Sequence, residues 1–171
     1  MGSKERRKLI EEILKNRPEP QKGQNLAREF GVTRQVIVKD IAILRASGVD
    51  IIATPEGYMI SKENRQKIKR VIAVSHKPEN IEDELTCIVS FGGTIENVII
   101  EHPLYGEIRG MLMVKNLYDV QNFIEKSKKY KAEPLSALTK GVHLHTIEAD
   151  NEEIMQRILN ALKEKKYLIS D

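Results

Sequence analysis

Leu26-Ala27-Arg28-Glu29-Phe30-Gly31-Val32-Thr33-Arg34-Gln35-Val36-Ile37-Val38-Lys39-Asp40-Ile41 reads as two helices joined by a tight turn. Leu26, Ala27 and Phe30 share one face of a short helix near 22–30. Gly31 permits the sharp turn, and Thr33 is placed to cap the next helix, about 34–47. That helix buries Ile37, Ile41 and Leu44 and closes at Gly48. Upstream, Leu9, Ile10, Ile13 and Leu14 lay an apolar stripe on a helix near 4–16, which Pro18 and Pro20 end. Downstream, Ile51-Ile52-Ala53-Thr54 and Tyr58-Met59-Ile60 flank the turn Pro55-Glu56-Gly57, a β-hairpin pattern. A three-helix module with a hairpin wing is a winged helix-turn-helix.

In such a module the apolar stripe of the third helix anchors it to the other two, which leaves its opposite face free for a major groove. Near its start that face offers Thr33, Arg34, Gln35, Val38 and Lys39, the candidate DNA-binding residues. Arg34 suits bidentate contact with guanine and Gln35 with adenine, whereas Lys39 suits a phosphate. Charge points the same way. Residues 1–70 hold 16 Lys and Arg against 9 Asp and Glu, a net +7, and residues 71–171 hold 12 against 16, a net −4, which together give the +3 of the 171-residue chain. A basic first part on an acidic remainder suits a polyanion-binding module joined to something that is not one. A helical bundle for protein contacts is the alternative, and both the charge split and the hairpin count against it.

At 40% hydrophobic and 31% charged residues, the composition fits a globular protein rather than a disordered or fibrous one. No apolar run is long enough for a membrane span. The start, Met1 to Arg7, is charged and lacks the apolar stretch of a secretory signal, so a cytoplasmic protein without membrane partners is expected. Cys87 is the only cysteine, which excludes an internal disulfide and an all-cysteine zinc site, and its place among apolar helix positions predicts a buried, inert thiol.

Sequence character changes near residue 70, which divides the chain into an expected DNA-binding domain over 1–62 and a second domain over 70–171. The charged stretch Ser61 to Arg70 reads as a linker or the start of a connecting helix. Strand patterns at 71–74, 95–101, 107–114 and 142–148 alternate with helix patterns at 79–91, 117–129 and 151–165. The order β-α-β-β-α-β-α predicts a ferredoxin-like split βαβ sheet with one added helix, and the whole chain is an α+β protein. In the ferredoxin order, 4-1-3-2, the last strand runs antiparallel beside the first at the sheet edge.

All four histidines fall in the acidic half. His143 and His145 stand at i and i+2 of a strand, so both face one side, and the pairing of last strand with first brings them to His76. The helix after His76 begins at that same end and carries Glu84, with Glu79, Glu82 and Asp83 close by. Three imidazoles and a carboxylate suit a divalent transition metal, Ni or Zn, without any thiolate. Hydrogen-bonded structural histidines are the alternative. His102 ends another strand with the central strand between it and His76, so it is expected to line a pocket rather than ligate.

The quoted stretch Leu26–Ile41 resembles the helix-turn-helix of biotin-repressor-type regulators. The second half, with His76, His102-Pro103-Leu104-Tyr105-Gly106-Glu107 and Gly141-Val142-His143-Leu144-His145, resembles the 3H domain, named for three histidines. Together they span nearly the whole chain and resemble the niacin-responsive transcriptional repressors, the NiaR family. The resemblance implies a homodimer that represses genes of niacin uptake and NAD synthesis, with nicotinic acid as co-repressor. It also implies His76, Glu84, His143 and His145 as metal ligands.

From these residues the expected function is a repressor, not an enzyme, whose grip on a palindromic operator depends on an effector held by the acidic domain. His102 and Arg109 are the candidate effector-binding residues. Two alternatives remain. In one, the metal itself is the signal. In the other, the His/Glu cluster activates water for hydrolysis with Glu82 or Glu101 as base, although the chain shows no phosphate loop and no nucleophile motif.

Overall fold

Ile10, Leu14, Leu26, Ile37, Ile41, Leu44 and Ile51 interlock into one apolar core. They come from α1 (Ser3–Asn16), α2 (Gly23–Glu29), α3 (Arg34–Ala46) and the first strand of a hairpin, β1 (Ile51–Thr54) and β2 (Gly57–Ile60). This is the first of two units, Met1–Glu63 and Asn64–Asp171, in a computed structural model that describes residues 2–60 and 66–170. The Thr33 hydroxyl accepts from the Val36 amide at 3.4 Å, so the expected cap starts α3. Asp40, on the buried side of α3, accepts from Arg6 Nε at 2.6 Å and from Arg7 at 3.4 Å, which ties α1 to the third helix. The wing has an extra piece: Gln21 exchanges backbone hydrogen bonds with Tyr58, at 2.7 and 2.9 Å. Gly57 permits that contact, because its φ is +137° and a Cβ there would stand 2.4 Å from the Gln21 carbonyl.

The second unit contains β3 (Ile68–Ser75), α4 (Ile81–Ser90), β4 (Thr94–His102), β5 (Gly106–Val114), α5 (Leu117–Tyr130), β6 (Val142–Ala149) and α6 (Glu152–Glu164). Short 3-10 turns, Pro78–Asn80 and Leu135–Thr139, precede α4 and β6. Ile72, Val74, Ile95, Leu112, Val114 and Ile147 of the sheet pack with Leu85, Ile88, Val120, Met155, Ile158 and Leu162 of the helices.

The sheet order is β3-β6-β4-β5, with every neighbouring pair antiparallel. Both crossovers still join parallel strands with one strand between them, so the split βαβ character holds. The expected 4-1-3-2 arrangement does not: the last strand lies inside the sheet, and the first forms an edge. Burial accounts for this. Residues of β6 alternate buried and partly buried along nearly its whole length, whereas Lys69, Arg70 and Val71 of β3 are exposed, as suits an edge. The segment read as linker or helix is partly strand, since β3 begins at Ile68; residues 61–65 lie outside the described part. Among the described residues no helix is long and apolar enough to cross a membrane.

Candidate functional site

Alternation along β6 puts His143, His145, Ile147 and Ala149 on the core side of the sheet. β3 pairs with β6 so that Val74 faces His143 and Ser75 faces Val142, and His76 follows at the end of the strand. Glu84, in the first turn of α4, descends onto this corner. The four residues sought in the sequence are therefore together and buried: His76 is 9% exposed, Glu84 1%, His143 4% and His145 2%. Glu79, Glu82 and Asp83 are exposed, and Glu82 accepts instead from Gln121. Ligand atoms of His76, Glu84 and His143 lie within 4.8 Å of one another. Glu84 Oε2 is 2.5 Å from His76 Nε2 and 3.6 Å from His143 Nε2, and Oε1 is 3.2 Å from His145 Nε2.

The outer ring nitrogens explain why all three Nε2 atoms point inward. His76 Nδ1 donates to the Lys77 carbonyl at 2.8 Å, His143 Nδ1 to that of Gly141 at 2.8 Å, and His145 Nδ1 to that of Asn97 at 2.6 Å. A carbonyl only accepts, so each Nδ1 carries a proton, and each ring turns its Nε2 toward the carboxylate. A buried carboxylate ringed by three imidazole nitrogens calls for a cation among them, either a proton on a ring or a metal ion. Among the described residues, Glu84 Oε1 and His145 Nε2 are the buried side-chain atoms with no hydrogen-bond partner, and they face each other. Such orphaned atoms are costly unless something charged satisfies them. His76, Glu84 and His143, with backbone carbonyls behind the two rings, form a ligand set that suits a divalent transition ion, and His145 stands beside it with its Nε2 3.2 Å from Glu84.

Proton affinities reflect the same crowding. Burial would lower His76, but its hydrogen bond to Glu84 and the charge of Glu84 outweigh burial and raise it. Burial would raise Glu84, yet the three histidines gathered round it, His143 and His145 foremost, hold it well below the usual carboxylate range. Burial pushes the thiol of Cys87 up, as expected for an inert one.

Two supporting residues were missed in the sequence. Asn97, buried on β4, bonds Thr146 twice, its side-chain oxygen accepting from the Thr146 amide at 2.9 Å and its side-chain nitrogen donating to the hydroxyl at 3.0 Å. It lies where the registers of β4 with β5 and β6 shift, and its own carbonyl holds His145. Gly141 has φ +97°, and a Cβ there would come 2.5 Å from the His76 carbonyl, so only glycine lets β6 begin this close to His76. The quoted Gly141-Val142-His143 hinted at this.

A cavity of about 950 Å³ borders the cluster and shares His143 with it; Ile99, Glu101, His102, Thr139 and Leu144 also line it. His102 Nδ1 accepts from the amides of Leu104 and Tyr105, at 3.1 and 3.3 Å, which leaves its Nε2 to donate. β6, which bears the two ligating candidates, separates His102 from His76. Arg109 is not among the lining residues and pairs with Glu107 at 2.9 Å on the surface. In the first unit, Arg34, Gln35 and Lys39 are exposed on α3, Thr33 is exposed at its cap, and Val38 is partly buried.

A family model described as an HTH domain matches residues 5–59, and one described as a 3H domain matches residues 69–171. The chain is 49% identical over 167 residues to the probable transcription repressor NiaR of Thermotoga maritima, covering 98% of this chain and 95% of that protein. It is 41% identical over 174 residues to the transcription repressor NadR of Bacillus subtilis, covering 100% and 96%. An HTH unit followed by a 3H unit defines a DNA-binding transcription repressor, a regulator rather than a hydrolase. The chain belongs to the NiaR family of such repressors.

Proposed function

We propose that the protein represses genes of niacin uptake and NAD synthesis, with nicotinic acid as co-repressor and one divalent transition ion, Ni or Zn, in the 3H unit. In this reading residues 1–62 bind DNA and residues 70–171 hold metal and effector in a cytoplasmic homodimer. One observation carries it: His143 belongs both to the buried His/Glu cluster and to the adjoining cavity. A small anion with a ring nitrogen, lodged there, would touch the surroundings of a metal held by His76, Glu84, His143 and His145. Glu101 and Glu107 also line that cavity, so attraction for a carboxylate must come from the ion and from His102. Thermal-shift titration with nicotinate and Zn²⁺ or Ni²⁺, singly and together, tests the reading, because ligands of the folded state raise apparent stability. A response to metal alone, with nicotinate inert, favours a metal sensor.

Two winged helices related by a twofold axis read a palindromic operator, which one cannot. Light scattering should therefore give a dimer at micromolar concentration, and a monomer argues against it. Arg34→Ala and Gln35→Ala are each expected to cost roughly 1–3 kcal/mol of specific operator binding and to relax base preference. Lys39→Ala should weaken all sequences evenly and lower the salt slope by about one. Unchanged specificity in the first two variants moves base reading elsewhere.

Metal and protons compete for the same Nε2 atoms, so opposite pH slopes are expected with and without metal. In metal-free protein the raised His76 contributes stability that is fully present below its ordinary 6.5 and lost as pH rises through the elevated value. The depressed Glu84 contributes stability present above its ordinary 4.5 and lost as pH falls through the depressed value. The site of the metal-free form is thus most stabilising between 4.5 and 6.5 and weaker at alkaline pH. Metal-loaded protein should gain stability over the same rise, since the ion needs unprotonated rings. Melting curves at mildly acidic and mildly alkaline pH, with and without Zn²⁺, check this; parallel slopes refute it.

A further inference from the structure

After α6 the chain turns back, and Tyr167–Ile169 runs along the free edge of β3: Ser75 donates to the Tyr167 carbonyl and Ile169 to the Ala73 carbonyl, both at 2.9 Å. That edge leads directly into His76. The Tyr167 ring meets the His76 ring edge-on, with centroids 5.2 Å apart and planes at 60°. Its hydroxyl donates to Asp83 at 2.7 Å, and Asp83 precedes Glu84 on α4. One side chain thus bridges the strand end that presents His76 and the helix that presents Glu84. Lys165 also reaches Asp83, at 3.0 Å, but that pair is exposed and contributes little.

We infer that Tyr167, held by the C-terminal segment on β3, is a positioning residue that fixes the spacing of His76 and Glu84 and thereby retains the metal. The inference rests on the metal reading above. An edge strand is the least constrained place to hang a ligand, and a ligand's supporting contacts set how fast its ion escapes. Tyr167 supplies packing against the imidazole and a tether to the helix together.

The test uses full-length protein loaded with Zn²⁺ and challenged with excess chromogenic chelator. Tyr167→Phe and Asp83→Leu, which remove the hydroxyl and its acceptor in turn, should release zinc several-fold faster, and Tyr167→Ala roughly tenfold faster or more. Lys165→Ala should stay within about twofold of wild type. Hydrogen exchange supplies the second readout. In wild type, zinc should slow exchange of the Ser75 and Ile169 amides; in Tyr167→Ala that slowing should shrink. Wild-type release rates in Tyr167→Phe and Asp83→Leu overturn the inference, as does wild-type exchange at those two amides that ignores zinc. If Tyr167→Ala does not fold, the other two variants decide. A wild type that takes up no zinc defeats the metal reading itself, and the clamp with it, before any variant is compared.

Discussion

Purified protein is expected to carry about one divalent transition ion per chain, and a His143→Ala/His145→Ala double variant to carry none. The expectation follows from buried polar atoms without hydrogen-bond partners. Three Nε2 atoms converge on a carboxylate at 1% exposure, and two of the facing atoms lack a hydrogen-bond partner. An ion bound a thousandfold above its dissociation constant adds about 4 kcal/mol to the folded state. For a unit of this size that corresponds to a fall in Tm of roughly 15 °C or more when the ion is stripped. The double variant should melt at one temperature with or without added Zn²⁺, since too few nitrogens remain. Elemental analysis and melting curves together decide. Substoichiometric metal in wild type after supplementation, or full occupancy in the variant, leaves the histidines as structural hydrogen-bonding groups.

Much of the fold was legible because it depends on local pattern. The i, i+4 stripes of α1 and α3, the Thr33 cap and the turn at Gly57 are set within a few residues. Period-two spacing put His143 and His145 on one face, and the antiparallel neighbour of β6 brought in His76. What local pattern does not encode is which strand ends up central. That depends on how far both faces of each strand are covered, and only the full set of contacts shows β6 between β3 and β4. The same limit hid the supports. Asn97 reads as one polar residue in an apolar strand until the register shift frees its carbonyl for His145. Tyr167 follows the last helix without any periodic signal, and its meaning arises only where the tail meets β3. Glu84 stood among four acidic residues of similar spacing, and burial alone distinguishes it.

Nicotinate should tighten operator binding by about tenfold or more, within the usual range of coupling between sites. A ligand shifts a conformational equilibrium only through different affinities for the two states. The cavity must therefore differ between DNA-bound and free protein, and His143, common to cavity and cluster, is the residue through which metal and effector would sense one another. Coupling is reciprocal, so operator DNA should raise nicotinate affinity by the same factor. His102→Ala should weaken nicotinate binding while leaving metal content intact, because its ring lines the cavity yet lies across β6 from His76. Arg109→Ala, away from the lining and paired with Glu107, should matter less. Operator titrations with labelled DNA, with and without nicotinate, on wild type, metal-stripped protein, His76→Ala and His102→Ala separate the possibilities. If nicotinate leaves wild-type affinity unchanged, the effector assignment fails. If metal alone sets operator affinity, the protein senses the ion. If His76→Ala responds to nicotinate as wild type does, the ion is structural and the effector acts without it. The proposed repressor requires the remaining pattern: full response in wild type, none after metal removal or in His76→Ala, and a shifted midpoint in His102→Ala.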